Sequence, residues 1–145
     1  MAVKRMDHVG VVVNDLDAAI EFFVALGLEA GGKGQVEGDW VDRIIGVEGA
    51  RSELAFVQTP DGHNRLELTK FLSPETPEGD PQAPSNTPGI RHLTFAVEDL
   101  DDVVARLGTH GAELVGTIEQ YENSYRLCYI RGPEGIIVEL AEELS

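Results

Sequence analysis

Two histidines and two glutamates recur along this chain in a way that lets them share one chemistry. His8 stands in MDHVGVVVNDLDAAI and His92 in GIRHLTFAVEDLDDV, and the two stretches align without a gap. His8 matches His92, Asp15-Leu16-Asp17 matches Asp99-Leu100-Asp101, and Gly27 matches Gly111. The chain is an internal repeat, and the repeat governs how each residue is read. Each half also closes on an apolar strand carrying one glutamate, Glu67 in RLELTKF and Glu139 in GIIVELAEE. Two imidazoles and two carboxylates form a donor set suited to a borderline divalent cation such as Zn, Ni, Co, Mn or Fe. Without cysteine, and with room for water, it is unlike a closed structural zinc site.

Alternation along a strand assigns these residues to a face. Val9, Val11 and Val13 form one side of the first strand, which leaves His8 opposite with Met6, Gly10 and Val12. Leu93, Phe95 and Val97 do the same in the second half, which places His92 with Ile90, Thr94 and Ala96. Leu66 and Leu68 face the core, so Glu67 lies beside Arg65 and Thr69; Glu139 lies beside Ile137 and Ala141. A single strand histidine is more often structural than a ligand, and a glutamate between leucines is usually the wet side of a strand. Those ordinary readings are independent, whereas the pattern is joint. It predicts one metal site of His8, Glu67, His92 and Glu139.

The elements that must hold these residues follow the same repeat. In the first half a strand over about residues 3 to 13 precedes a helix over about 16 to 26. Asn14 or Asp15 caps that helix and Gly27 closes it. A Gly-rich stretch from Gly31 to Gly38 and an unassigned piece, DWVDRIIGVEG, come next. Strands SELAFVQT and NRLELTKF follow, joined by Pro60-Asp61-Gly62. The second half predicts a strand over 90 to 97, a helix over 100 to 108, and strands over 112 to 119, 124 to 131 and 136 to 142. The order in each half is βαβββ. The fold class is α+β, with tandem modules over 1–71 and 90–145 forming an open, cleft-containing eight-stranded mixed sheet. Pro74, Pro77, Pro81, Pro84 and Pro88 make 72–89 a linker.

The formal charge of -15 argues against nucleic acid and anionic membrane surfaces as partners. No apolar run is long enough to span a bilayer, and no signal-peptide pattern precedes the first strand. Cys128 is the one cysteine, which excludes an intrachain disulfide and fits a reducing cytoplasm. An anionic substrate would need local basic residues. Arg65, Thr69, Thr94 and Arg126 are the candidate pocket residues for a small molecule, although a surface salt bridge is the default for Arg126. Cys128 reads as a core residue, and His63 as exposed after its turn. His110 sits at a helix end, where it can serve the last carbonyls. Trp40 and Arg43 lie in the least regular part, as packing residues or a lid.

DHVGVVVNDLDAAIEFF, LGLE, RLELTKF, RHLTFAVEDLDDV and GPEGIIVELAEE together resemble the vicinal oxygen chelate superfamily, the glyoxalase, bleomycin-resistance and dioxygenase group. The resemblance covers essentially the whole chain. In that group the metal ligands fall on the first and last strands of each module, and His8, Glu67, His92 and Glu139 resemble the set of glyoxalase I. The second module is also similar to methylmalonyl-CoA epimerase. That family commonly carries an amide at the Glu67 position and a longer final hairpin, which this chain lacks. The resemblance implies a metal-dependent lyase or isomerase that stabilises an enediolate or enolate, and a homodimer. The alternatives it leaves are an extradiol-type dioxygenase, which uses two His and one Glu, and a non-enzymatic antibiotic-binding protein. A carboxylate near the metal would move the proton. Glu139 is the expected base and Glu67 a steady ligand or second base, because Arg65 on the same face should hold Glu67 ionised.

Overall fold

The computed structural model describes residues 2–144, which divide between Glu78 and Gly79 into two compact units. The first contains β1 (Val9–Val12), α1 (Leu16–Leu26), β2 (Glu29–Glu37), α2 (Asp39–Ile45), β3 (Arg51–Gln58) and β4 (Arg65–Ser73). The second contains β5 (His92–Ala96), α3 (Leu100–Gly108), β6 (Glu113–Leu114), β7 (Glu119–Tyr121), β8 (Tyr125–Arg131), a 3₁₀ turn at Pro133–Gly135, and β9 (Ile137–Glu143). The class is α+β, as the alternation and capping signals imply. The described strands form two sheets. One has four strands in the order β1-β4-β3-β2; the other has five, β5-β9-β8-β6 with β7 also on β8. The fifth strand arises because 112–119, expected as one strand, breaks at Gly116 into β6 and β7.

The helices form where the caps and apolar spacing put them. Asp15 accepts a 3.0 Å bond from the Ala18 amide, satisfying one of the free donors at the start of α1. Gly27, at φ +125, returns its amide to Phe23 and Val24 and stops the helix. Leu16, Ala19, Phe22, Phe23 and Leu26 are buried along one stripe of α1. Asp99 caps α3 in the same way, from a left-handed conformation, and Leu100, Val103 and Leu107 are its buried positions.

The unassigned stretch DWVDRIIGVEG contains α2, which the Asp42 carboxylate ties to the following loop by accepting from Gly49 and Ala50 amides. The Gly-rich stretch is the outer strand β2, bulged between Ala30 and Lys33, where absent side chains let the backbone shift register. The first strand is shorter than the expected 3–13. Its ladder begins at Val9↔Leu66, one residue from the start of β4, so residues before His8 have no part of β4 opposite them.

In both sheets the first strand of the module pairs parallel with the last. Gly10 stands opposite Glu67, and Thr94 opposite Glu139. Each ladder is extended by one equivalent bond, Val13 amide to Thr69 carbonyl and Val97 amide to Ala141 carbonyl, both 2.9 Å. The faces follow. Leu66 and Leu68 are buried in β4, and Val138 and Leu140 in β9, while Glu67 and Glu139 between them are only half-buried. Ile137, on the Glu139 side, is buried as well.

The proline-rich segment divides between the units at Glu78 and Gly79. Residues that follow the division are strapped to the second unit. Arg131 donates to the carbonyls of Pro81, Ala83 and Gly135, and Ala83 is buried. Among the described residues no helix is long and apolar enough to cross a membrane.

The closest of these backbone approaches yields a test. Gly135 has φ +87, and a Cβ there would sit 2.3 Å from the Pro81 carbonyl oxygen. Gly62, at φ +78, has nothing nearer than 3.8 Å. Urea unfolding should show Gly62→Ala costing about 1–2 kcal/mol, the usual penalty for a left-handed side chain. Gly135→Ala should cost clearly more.

Candidate metal-binding half-sites

The parallel register determines where the four residues go. His8 lies two residues before Gly10, and His92 two before Thr94, so each histidine reaches the same face as the glutamate opposite its neighbour. His8 Nε2 stands 3.8 Å from Glu67 Oε2, and His92 Nε2 stands 3.8 Å from Glu139 Oε1. The two pairs match in atoms and distance. Donors each about 2.0–2.2 Å from one ion stand roughly 3–4 Å apart, so either pair is dimensioned for a shared cation. Within each unit the pair is what the fold brings together. Among the described residues no group of three or more His, Cys, Asp or Glu side chains is clustered to hold a metal.

The antiparallel neighbour supplies a third member. Phe56 on β3 stands opposite Glu67, and Tyr129 on β8 opposite Glu139. Phe56 stands nearly perpendicular to the His8 ring, with centroids 5.4 Å apart, and Tyr129 lies 5.0 Å from the His92 ring at a tilt of 38°. One aromatic wall per module thus confines the imidazole. The strand alternation alone did not single out Phe56. Its place opposite Glu67, repeated by Tyr129 and Glu139, was the available signal.

The polar partners of the two half-sites differ. Thr69 donates to Glu67 at 3.3 Å from two residues along the same strand. Thr94 donates to Glu139 at 2.8 Å from the paired strand. Both threonines, expected in the pocket, therefore orient the glutamates. Arg65 behaves otherwise than its place beside Glu67 implied. Its guanidinium is 2.7 Å from Asp7 and lies 4.5 Å over the Phe56 ring, so the charge expected to hold Glu67 ionised is committed elsewhere.

Asp7 is a residue that sequence reasoning passed over. It joins His8 Nδ1 at 2.7 Å and also takes Arg65 and Arg5. The hydrogen bond to His8, then that to Arg65, holds its carboxyl well below the usual carboxylate range.

Arg126 corrects the remaining pocket expectation. It alternates with Cys128 and Ile130, both buried, and so lies on the core face of β8, opposite Tyr129. There it forms two bonds to Asp101 on α3, 2.9 and 3.0 Å, and approaches Glu142 at 3.6 Å. The strand period excludes it from the half-site. Cys128 is a buried core residue, with its thiol pushed up by burial. His63 and His110 are exposed.

This repeated geometry defines an α+β fold of two modules, each closing a parallel strand pair on one histidine and one glutamate. Residues 5–140 match the Glyoxalase/Bleomycin resistance protein/Dioxygenase superfamily, and the chain belongs to it. The chain is similar to a glyoxalase family protein from Bacillus cereus, with 52% identity and a TM-score of 0.96, covering 100% of this chain and 99% of that one. It is 30% identical over 140 residues to the uncharacterized protein YwbC of Bacillus subtilis (strain 168), covering 94% of this chain and 95% of that protein. A glyoxylase/bleomycin resistance protein/dioxygenase domain from Frankia sp. EAN1pec shares the fold, with a TM-score of 0.67 at 23% identity, covering 98% of this chain and 99% of that one.

The Arg126 contact has a pH consequence. Its hydrogen bonds to Asp101, and then its charge, lower the Asp101 carboxyl from its ordinary value. A depressed carboxylate adds stability above its unfolded pKa and loses it as pH falls through the lower folded one. Arg126→Ala should return Asp101 toward the ordinary range in a carbon-detected NMR titration and remove that acid-side dependence.

Proposed function

We propose that this protein is a metal-dependent lyase or isomerase of the glyoxalase I or epimerase type, acting on a small carbonyl or thioester substrate. The observation that carries the reading is the repeated pair, each imidazole Nε2 standing 3.8 Å from a carboxylate oxygen at equivalent register. Members of the superfamily often bind divalent metals, and nitrogen and oxygen donors of this kind suit Zn, Ni, Co, Mn or Fe. His8, Glu67, His92 and Glu139 would together hold the cation, with modules drawn from one chain or from two. When bound, a divalent cation polarises adjacent substrate oxygens and acidifies the neighbouring carbon.

The chain's own residues would do the rest. Glu139 is assigned as the base that takes the proton from one carbon and returns it, at the same or an adjacent carbon. It projects from the face opposite the fully buried Val138 and Leu140, on the side of the buried Ile137, and its protein hydrogen bond comes from the neutral Thr94 hydroxyl. That bond aims one oxygen and leaves the other for substrate. Glu67, with Thr69, remains a steady ligand or second base. Phe56 and Tyr129 exclude water from one side of each imidazole. The protein is further proposed to act as a homodimer in the cytoplasm; superfamily members commonly form dimers, and a monomeric mass at micromolar concentration would count against it.

Purified protein should exchange substrate protons in deuterated water with hemithioacetals or acyl thioesters. A chelator should abolish that exchange and added divalent metal restore it. Ligand binding that is equal with and without metal, together with no exchange on any carbonyl substrate, would instead indicate a sequestering protein. Glu139→Gln should retain metal while lowering turnover by ~10²–10⁴. If Glu139→Gln stays active and Glu67→Gln is dead with metal bound, the two roles are exchanged.

A further inference from the structure

The two histidines are equivalent by repeat, yet the groups behind them are chemically different. His8 Nδ1 faces the Asp7 carboxylate at 2.7 Å, and Asp7 is itself held by Arg65 and Arg5. A carboxylate paired with two guanidinium groups can only accept, so the proton of a neutral His8 ring must sit on Nδ1. That leaves the Nε2 lone pair directed at the Glu67 side, the form a metal requires. His92 Nδ1 faces the Tyr129 hydroxyl at 3.3 Å. A hydroxyl can donate or accept. If Tyr129 accepts, His92 presents a free Nε2. If Tyr129 donates, the ring proton moves to Nε2 and the histidine can no longer ligate.

We propose that Asp7 is a positioning residue that locks His8 in its metal-ready tautomer, while Tyr129 leaves His92 free to exchange between a ligating and a non-ligating form. The first module then provides the anchoring half of the donor set and the second the adjustable half. The arrangement is built rather than incidental. Phe56 meets the His8 ring at near right angles and carries the Arg65 guanidinium over its face, so the groups that brace Asp7 also contact the ring. Phe56 has no oxygen to offer, and Asp7 from the preceding residue takes that role. In the second module the position before His92 is Arg91, which cannot accept a hydrogen bond, and the tyrosine hydroxyl is what remains.

The consequence for metal affinity rests on the metal-dependent reading above, but the tautomers belong to the protein alone. The test uses that separation. Nitrogen-15 NMR of histidine-labelled, metal-free protein at alkaline pH reports which ring nitrogen carries the proton, with His63→Gln and His110→Gln assigning the remaining signals. His8 should be entirely the Nδ1–H form and His92 a mixture. Asp7→Ala should move His8 toward the Nε2–H form and weaken Co²⁺ binding roughly 10- to 100-fold. Tyr129→Phe should shift the His92 mixture and change Co²⁺ affinity by less than the Asp7 variant does. A wild-type His8 in the Nε2–H form, or one unmoved by Asp7→Ala, overturns the proposal, as does a His92 locked like His8. Tautomers as stated in a protein that never binds Co²⁺ would uphold the positioning roles and overturn the metal-dependent reading.

Discussion

Parallel pairing between the first and last strand of each module is the constraint on which the half-sites depend. Parallel neighbours cannot be joined by a tight turn, so α1 with β2, α2 and β3, and α3 with β6, β7 and β8, must intervene between strands that end up adjacent. That detour brings His8 to Glu67, and His92 to Glu139, over long sequence distances. Because side chains alternate with a period of two, a slip of one residue in either ladder would carry the histidine or the glutamate to the core face. Leu66 and Leu68 on one side, and Val138 and Leu140 on the other, prevent the slip. Moving them to the exposed face would forfeit the burial that stabilises the sheet. The core thus fixes the register, and the register fixes the half-site.

The duplication sets the shared geometry but not the chemistry around it. Both modules place a histidine, a glutamate and an aromatic ring on adjacent strands, with the same 3.8 Å separation of donor atoms. Divergence is confined to the supporting polar groups. The first module has glycine opposite Glu67, the threonine two residues along β4, and a carboxylate behind its histidine. The second has threonine opposite Glu139 and a phenol behind its histidine. The duplicated strand pairs therefore carry different electrostatic environments.

Charge is handled locally despite the strongly acidic chain. Arg65 lies on β4 beside Glu67 and Arg126 on β8, the neighbour of β9, and alternation sends the first to the half-site face and the second to the helix face. Arg65 stacks on Phe56 and holds Asp7, whereas Arg126 ties Asp101 of α3 to Glu142 of β9. One arginine organises a histidine and the other fastens a helix. Alternation separates their faces, but only the assembled sheet shows which carboxylates each one meets.

What the sequence determined by itself is whatever depends on near neighbours. Asp15 and Gly27 bound α1, Asp99 starts α3, and strict alternation puts His8, Glu67, His92 and Glu139 on the faces away from the leucines, because caps and pleats act over one to four residues. Repeat alignment added that the two halves must fold alike. Three things required the tertiary structure. DWVDRIIGVEG became a helix because Val41 is buried and Asp42 can reach the amides of the following loop, a contact that no local propensity encodes. The first strand stopped short at Val9 because its length is set by the partner that faces it. The Asp7–Arg65 contact, between residues 58 apart, exists only once β1 lies beside β4. Local rules decide which face a side chain takes; only the assembled sheet decides what it meets there, since strand pairing brings together groups whose separation along the chain carries no signal.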